Sequence, residues 1–243
     1  MRLRDVGFKD GLMVLLPPSP GIAFTTGLAG DLGLSSGDPA GAAANRTSVS
    51  DALGIPDTWA TARQVHGRDV LCVGDAHAQV PEADAVVVRQ PGRPAAVLVA
   101  DCVPIALSGP GVAAAVHAGW RGLCAGVIEA AVAAAEPGRT SPGGLSAWIG
   151  PCIGPCCFEV GPEVPEQFAL THPDGPDCTV PAGEGNGRFD LRRAAASVLE
   201  ASRVKVAGDL DPPCTCCDSR FFSHRRDGTP KRQALVTWVE GAR

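Results

Sequence analysis

Apolar runs rich in valine and alanine, bounded by glycine, proline and polar residues, recur along this chain and read as strands. They lie at 22–26 (IAFTT), 69–73 (DVLCV), 83–89 (ADAVVVR), 95–107 (AAVLVADCVPIAL), 111–118 (GVAAAVHA), 145–150 (LSAWIG) and 232–239 (RQALVTWV). After His117 the period changes. Within 121–136, Leu123, Val127, Ile128, Ala131 and Val132 recur at helical spacing, which predicts one helix there. A second helix begins at Asp190, a good N-cap, and buries Leu191, Ala195, Val198 and Leu199. Weaker patterns place helices at 162–170 and across the alanine-rich 39–53.

Alternation of strands and helices makes the fold class α/β. The stretch 100–118 reads as an antiparallel hairpin, so the sheet should be mixed. No internal repeat and no linker divides the chain, and the Gly/Pro-rich 136–144 and 172–187 read as surface loops. The expectation is a single-domain layered α/β fold over 1–243, with a mixed β-sheet and helices on the outside.

Composition narrows the function classes. At 45% hydrophobic and 19% charged residues, the chain can bury a sizeable core. The formal charge of -5 (21 basic minus 26 acidic) argues against nucleic acid as a partner, because phosphate contacts need clustered Lys and Arg. The absence of tyrosine rules out a phenol as acid, nucleophile or radical. The most apolar stretch, 95–107, is too short for a membrane span and is interrupted by Asp101 and Pro104. The first residues, with a short apolar run ending in two prolines, read as a mature N-terminus and not a secretion signal. A cytoplasmic location is therefore expected. The ten cysteines then become reduced thiols, metal ligands or a nucleophile. Nothing in the sequence fixes the oligomeric state, and a monomer is the expectation.

Candidate chemistry converges on His66, Cys102 and His117. A hairpin turn symmetric about Gly109 and Pro110 would place Cys102 directly opposite His117, with Cβ atoms about 4.5–5.5 Å apart on one face. His117 ends its strand before A-G-W-R-G and a helix, where ligands bind in open α/β sheets. His66 lies in TARQVHGRDV with Arg63 and Arg68 beside it. Taken singly, each histidine reads as a structural residue and the cysteine as a small hydrophobe. Together, one sulfur and two imidazoles suit a zinc with an open fourth position, the core of a blue-copper site, or a thiol–imidazole nucleophile pair. The cysteines of 150–161 (Cys152, Cys156, Cys157) and of 212–222 (Cys214, Cys216, Cys217) are not read as a regular C-x-x-C zinc knuckle and are expected as reduced thiols. His77 and His172, in polar loops, are expected to be solvated.

RQVHG (63–67), ADCVP (100–104), HAGWRG (117–122), IGPCIGPCCFEVG (149–161), FDL (189–191) and CTCCDSRFFSHRRDG (214–228) together resemble the YfiH/laccase-domain family, in order and across nearly the whole chain. The resemblance implies a metal site, usually zinc with copper as the other option, at His66, Cys102 and His117. It also implies phosphorolysis of purine nucleosides (adenosine, inosine, guanosine, methylthioadenosine) and adenosine deamination. Partners would be the nucleosides and phosphate. TPKRQ (229–233) departs from the family's usual ending, and Cys216 and Cys217 stand where other residue types are common, so the role of the C-terminal loop is not carried over. The older label of the family, multicopper polyphenol oxidase, meets an inventory problem: four-copper sites are built largely from histidine, and this chain has five.

In the nucleoside reading, zinc at the three ligands activates water near neutral pH. Cys102 and His117 belong to the catalytic set, and Arg63 and Arg121 hold phosphate through planar guanidinium groups. Glu159 is a candidate acid for the leaving purine, with a structural role the stronger reading. Arg225, Arg226 and Asp227 either close the pocket or form a surface salt-bridged loop. The rivals are a metal-free cysteine hydrolase using Cys102 and His117, and a binding protein with a structural zinc closed by Cys124 or Cys152.

Overall fold

The computed structural model describes residues 4–7, 13–16, 21–74, 81–136, 144–181, 187–207 and 212–241; His77 lies outside them. The N-terminal part contributes β1 (Arg4–Gly7), β2 (Met13–Leu16), β3 (Ile22–Thr25) and α1 (Pro39–Leu53). The middle contributes β4 (Val70–Cys72), β5 (Ala85–Val88), β6 (Ala95–Val99), β7 (Val103–Gly109) and β8 (Val112–Ala118). There follow α2 (Trp120–Ala125), α3 (Val127–Ala135), β9 (Ser146–Ile149), β10 (Glu159–Val160) and α4 (Glu163–Thr171). The last part holds β11 (Thr179–Val180), β12 (Gly187–Phe189), α5 (Leu191–Ala201), β13 (Lys205–Val206), α6 (His224–Asp227) and β14 (Gln233–Thr237).

Two sheets dominate. One runs β1-β2-β3-β14-β6 and is antiparallel throughout; the other runs β13-β9-β7-β8-β5-β4 and is mixed, with parallel pairs at both edges. Alternation along the strands then decides the layers, because successive side chains point to opposite faces. Val86 and Val88 meet Ile22, Phe24, Val97 and Leu235 between the two sheets. Val87, Ile105, Leu107 and Val116 face the other way, onto Val127, Ile128 and Ala131 of α3 and Leu191, Ala195, Val198 and Leu199 of α5. On the far side of the first sheet, Ala96, Ala234 and Val236 pack with Leu32, Trp59 and Val49 of α1. The order is helix, sheet, sheet, helix: the expected layered α/β fold with helices outside and a mixed sheet.

Three local expectations are corrected. The apolar run 95–107 is two strands, broken where Asp101 takes a φ of 97°. The helix expected over 121–136 is two helices, broken at Gly126 (φ 89°), whose N–H caps the carbonyls of Gly122 and Leu123. The β7–β8 hairpin turns at Pro110 and Gly111, and Pro104, not Cys102, pairs with His117. Proline at the second turn position and glycine with φ 68° at the third is the combination of a type II turn. The register differs from the expected one by two residues. An even shift keeps every side chain on its face, so Cys102 and His117 remain on one side as diagonal neighbours.

Candidate active site

The site forms where the ends of β5, β7 and β8 meet the loop 63–68. Asp84, fully buried just before β5, organises it. One carboxylate oxygen accepts the backbone N–H of His66 (2.9 Å) and the other those of Val65 (3.1 Å) and Gly67 (2.7 Å). This curls the loop and holds His66 in a left-handed conformation, φ 61°. Asp84 also receives Nδ1–H of His117 at 2.8 Å, which leaves Nε2 as that ring's free donor atom. Its pairing with His117 and the loop N–H groups outweighs burial and keeps the Asp84 carboxyl below its ordinary range.

The donor atoms of His66, Cys102 and His117 lie within 4.8 Å of one another. Cys102 Sγ is 3.8 Å from His66 Nε2, and the two imidazoles meet edge to face at 4.8 Å between centroids. Two bonds of about 2.3 Å to sulfur and 2.0–2.1 Å to nitrogen at a tetrahedral angle put the donors roughly 3.5–4 Å apart, so a divalent metal fits. His117 is buried, Cys102 half-buried and His66 exposed, so access is from the His66 side. Among the described residues no fourth His, Cys, Asp or Glu joins the group. Cys124 and Cys152, considered as closing ligands, lie elsewhere: Cys152 is buried beside Arg192 and Cys124 is near Thr171. Burial opposes charge on both Cys102 and His117, yet their mutual attraction prevails. The imidazoles bring the Cys102 thiol down to about 6, and the thiolate with Asp84 raises His117.

Close packing explains the small residues of HAGWRG. A Cβ on Gly119 would lie 2.8 Å from His66 Cδ2 and 3.1 Å from Cys102 Sγ, and one on Gly122 would lie 3.0 Å from the Gly67 carbonyl. Asp101, the residue before Cys102, is itself fixed by three partners. That carboxylate accepts the Thr215 hydroxyl (2.6 Å) and the Arg225 backbone N–H (2.7 Å), and the Asp101 carbonyl accepts from Ile153 (2.9 Å).

The other candidates are less central. Arg63 is exposed and ion-paired with Glu82. Arg121 is exposed and lies over Trp120, 4.4 Å from the ring centroid. Glu159 pairs with Arg188 at 3.5 Å, which is the structural role. Arg225 donates to the carbonyls of Cys157 (3.2 Å) and Glu159 (3.0 Å), and Arg226 pairs with Asp227, so this loop is held by its own arginines. His172 is not simply solvated: it stacks on Phe168 and meets Glu129 at 3.2 Å. The cysteine groups also depart from expectation, because Cys156, Cys157, Cys214 and Cys217 converge into a second donor cluster.

Asp84 and Asp101 escaped the sequence reading. Asp84 is a single acid before a valine run, and Asp101 entered only as the charge that interrupts an apolar stretch. An acid at the mouth of a strand without a visible partner was the available signal.

A sequence profile of the family described as multi-copper polyphenol oxidoreductase laccase matches residues 26–240. The chain is 36% identical over 224 residues to "Purine nucleoside phosphorylase YfiH" of Escherichia coli, covering 86% of each chain. It is 38% identical over 210 residues to "Purine nucleoside phosphorylase SCO2081" of Streptomyces coelicolor, covering 84% of each. Among solved structures, YlmD from Geobacillus stearothermophilus superposes with a TM-score of 0.83 at 29% identity, over 97% of this chain and 99% of that one. The Neisseria meningitidis protein NMB0706 superposes with 0.82 at 30% identity, over 96% and 100%.

Proposed function

Because the chain belongs to the multi-copper polyphenol oxidoreductase laccase family, alongside the YfiH-type purine nucleoside phosphorylases, we propose that it cleaves purine nucleosides with phosphate. Adenosine, inosine, guanosine and methylthioadenosine are the substrates, and adenosine deamination is a second activity of the same site. The observation that carries this reading is the open group His66, Cys102 and His117, three convergent donors with one side exposed. A zinc held there supplies Lewis acidity beside the substrate. Asp84 fixes the His117 ring and the His66 backbone so that both donors stay aimed, as carboxylate partners of ligating histidines do.

In phosphorolysis a phosphate oxygen bonds to C1′ of the sugar while the C1′–N9 bond breaks and the departing purine takes up a proton. Arg63 and Arg121 are exposed beside the cluster in sequence, and each has a partner it can exchange: the Glu82 carboxylate and the Trp120 face. A guanidinium suits phosphate oxygens geometrically as well as electrostatically. Copper oxidation of phenols is the weaker reading, because five histidines cannot build a four-copper centre.

The test is incubation of pure protein with adenosine, with and without phosphate, followed by product analysis. Adenine and ribose 1-phosphate should form only with phosphate, and inosine with or without it. Base release that survives rigorous phosphate removal would mean hydrolysis. Cys102→Ala should lose about one zinc per chain together with activity; activity that persists in metal-free wild type would favour a thiol nucleophile at Cys102.

A further inference from the structure

The second cluster plays no part in the chemistry above. Cys156, Cys157, Cys214 and Cys217 bring four sulfurs within 4.8 Å of one another, although the two pairs are some sixty residues apart in sequence. Cys156 and Cys157 sit in a tight turn, closed by the N–H groups of Cys157 and Phe158 on the Gly154 carbonyl (3.0 and 3.1 Å). Cys214 and Cys217 form a C-x-x-C turn, in which Asp218 N–H donates to the Cys214 carbonyl at 2.9 Å. The two turns are laid side by side by the Cys152–Cys214 bridge, where Thr215 N–H meets the Cys152 carbonyl at 3.0 Å.

The spacing is within about 0.5 Å of that around a four-coordinate ion. With bonds of 2.3 Å, the corners of a zinc–sulfur tetrahedron lie roughly 3.8 Å apart. Cys217 Sγ is 3.5 Å from Cys156 Sγ and 3.3 Å from Cys157 Sγ. One sulfur shared between two others, with a fourth beside them, has no counterpart in pairwise disulfides. Backbone N–H groups also point at sulfur: Gly154 donates to Cys214 Sγ at 3.1 Å. Four sulfurs this close offer one shared ion a complete set of ligands.

We propose that Cys156, Cys157, Cys214 and Cys217 form a second, structural metal site that takes zinc and fastens the loop 150–161 to the loop 212–228. A closed four-thiolate shell leaves no position for substrate, so the role is positioning. Both fastened loops reach Asp101, through Ile153 on one side and through Thr215 and Arg225 on the other. Asp101 in turn precedes Cys102. The ion therefore steadies the residue next to Cys102 from outside the candidate active site, and the inference stands whether or not the nucleoside reading does.

Metal analysis of protein purified with zinc under reducing conditions tests it. Cys102→Ala should retain about one zinc per chain, and adding Cys217→Ser should remove it. Cobalt put into Cys102→Ala in place of zinc should give the strong thiolate-to-cobalt absorption of four sulfur ligands, a readout that needs no further variant. In otherwise wild-type protein, Cys156→Ser with Cys217→Ser should lower the melting temperature and keep the zinc that Cys102→Ala loses. The proposal is overturned if reduced Cys102→Ala carries no zinc, or if Cys217→Ser leaves the count unchanged. It is equally overturned if mass analysis finds the four cysteines paired as disulfides under those conditions. Failure of the His66 site alone has a different signature, equal zinc in wild type and Cys102→Ala.

Discussion

A single buried carboxylate, Asp84, receives three backbone N–H groups and one imidazole N–H. Asn is nearly the same size but would turn an NH2 group towards donors that need an acceptor. Asp84→Asn should therefore weaken zinc binding about 10–100-fold and lower stability by about 3 kcal/mol. Competition with a chromogenic chelator and urea denaturation measure the two effects; unchanged metal affinity would show that the loop is held in shape some other way. The residue types that could bind a metal were legible as a sequence because histidines are few, five in all, and two of them stand with Cys102 at the ends of strand-like runs. What holds them was not, because Asp84 reaches its partners across 17 to 33 positions of chain. Cys102 and His117 were grouped through a register that proved two residues off, and the conclusion survived only because side-chain direction repeats every second residue.

Elements show a complementary pattern. Segments with a clear apolar period were legible: α5 and the core strands lie where their spacing placed them, while α1 and α4 follow the weaker, alanine-rich and mixed patterns. Breaks within a continuous pattern were not, because apolar positions on both sides of a break keep facing the same core. Val127, Ile128 and Ala131 continue the buried stripe begun by Leu123, yet Gly126 interrupts the helix at φ 89°. Ala at this position has to adopt a left-handed conformation against its Cβ, at about 1–2 kcal/mol. Gly126→Ala should lower the unfolding free energy by that amount, read as a lower urea midpoint at unchanged slope, while leaving zinc content intact; an unchanged midpoint would mean the break is not held. Strands of two or three residues, β10 to β13, carry no period at all and could only be seen once their partners were in place.

For the molecule as a whole, one packing contact joins the layers to the active site. Phe24 of β3 is fully buried between the two sheets. Gly150, which follows β9 and donates to the Pro104 carbonyl at 2.9 Å, lies against its ring so closely that any Cβ there would strike the ring carbons. The strand β7 begins at Val103, directly after Cys102, so Gly150 sits where the sheet-to-sheet spacing and the cysteine's strand are set together. Gly150→Ala should overpack this layer and cost about 1–3 kcal/mol. Phe24→Leu alone opens space and should cost less than the about 3–5 kcal/mol of a Phe→Ala truncation. If the collision with the ring is the cause, the smaller residue makes room for the methyl group. The double variant should then be more stable than the sum of the two single losses, by about 0.5–3 kcal/mol. Urea denaturation of the four proteins closes the cycle. Strict additivity would show that the cost at Gly150 does not come from the Phe24 ring, and the proposed link between layer spacing and the Cys102 strand would fall with it.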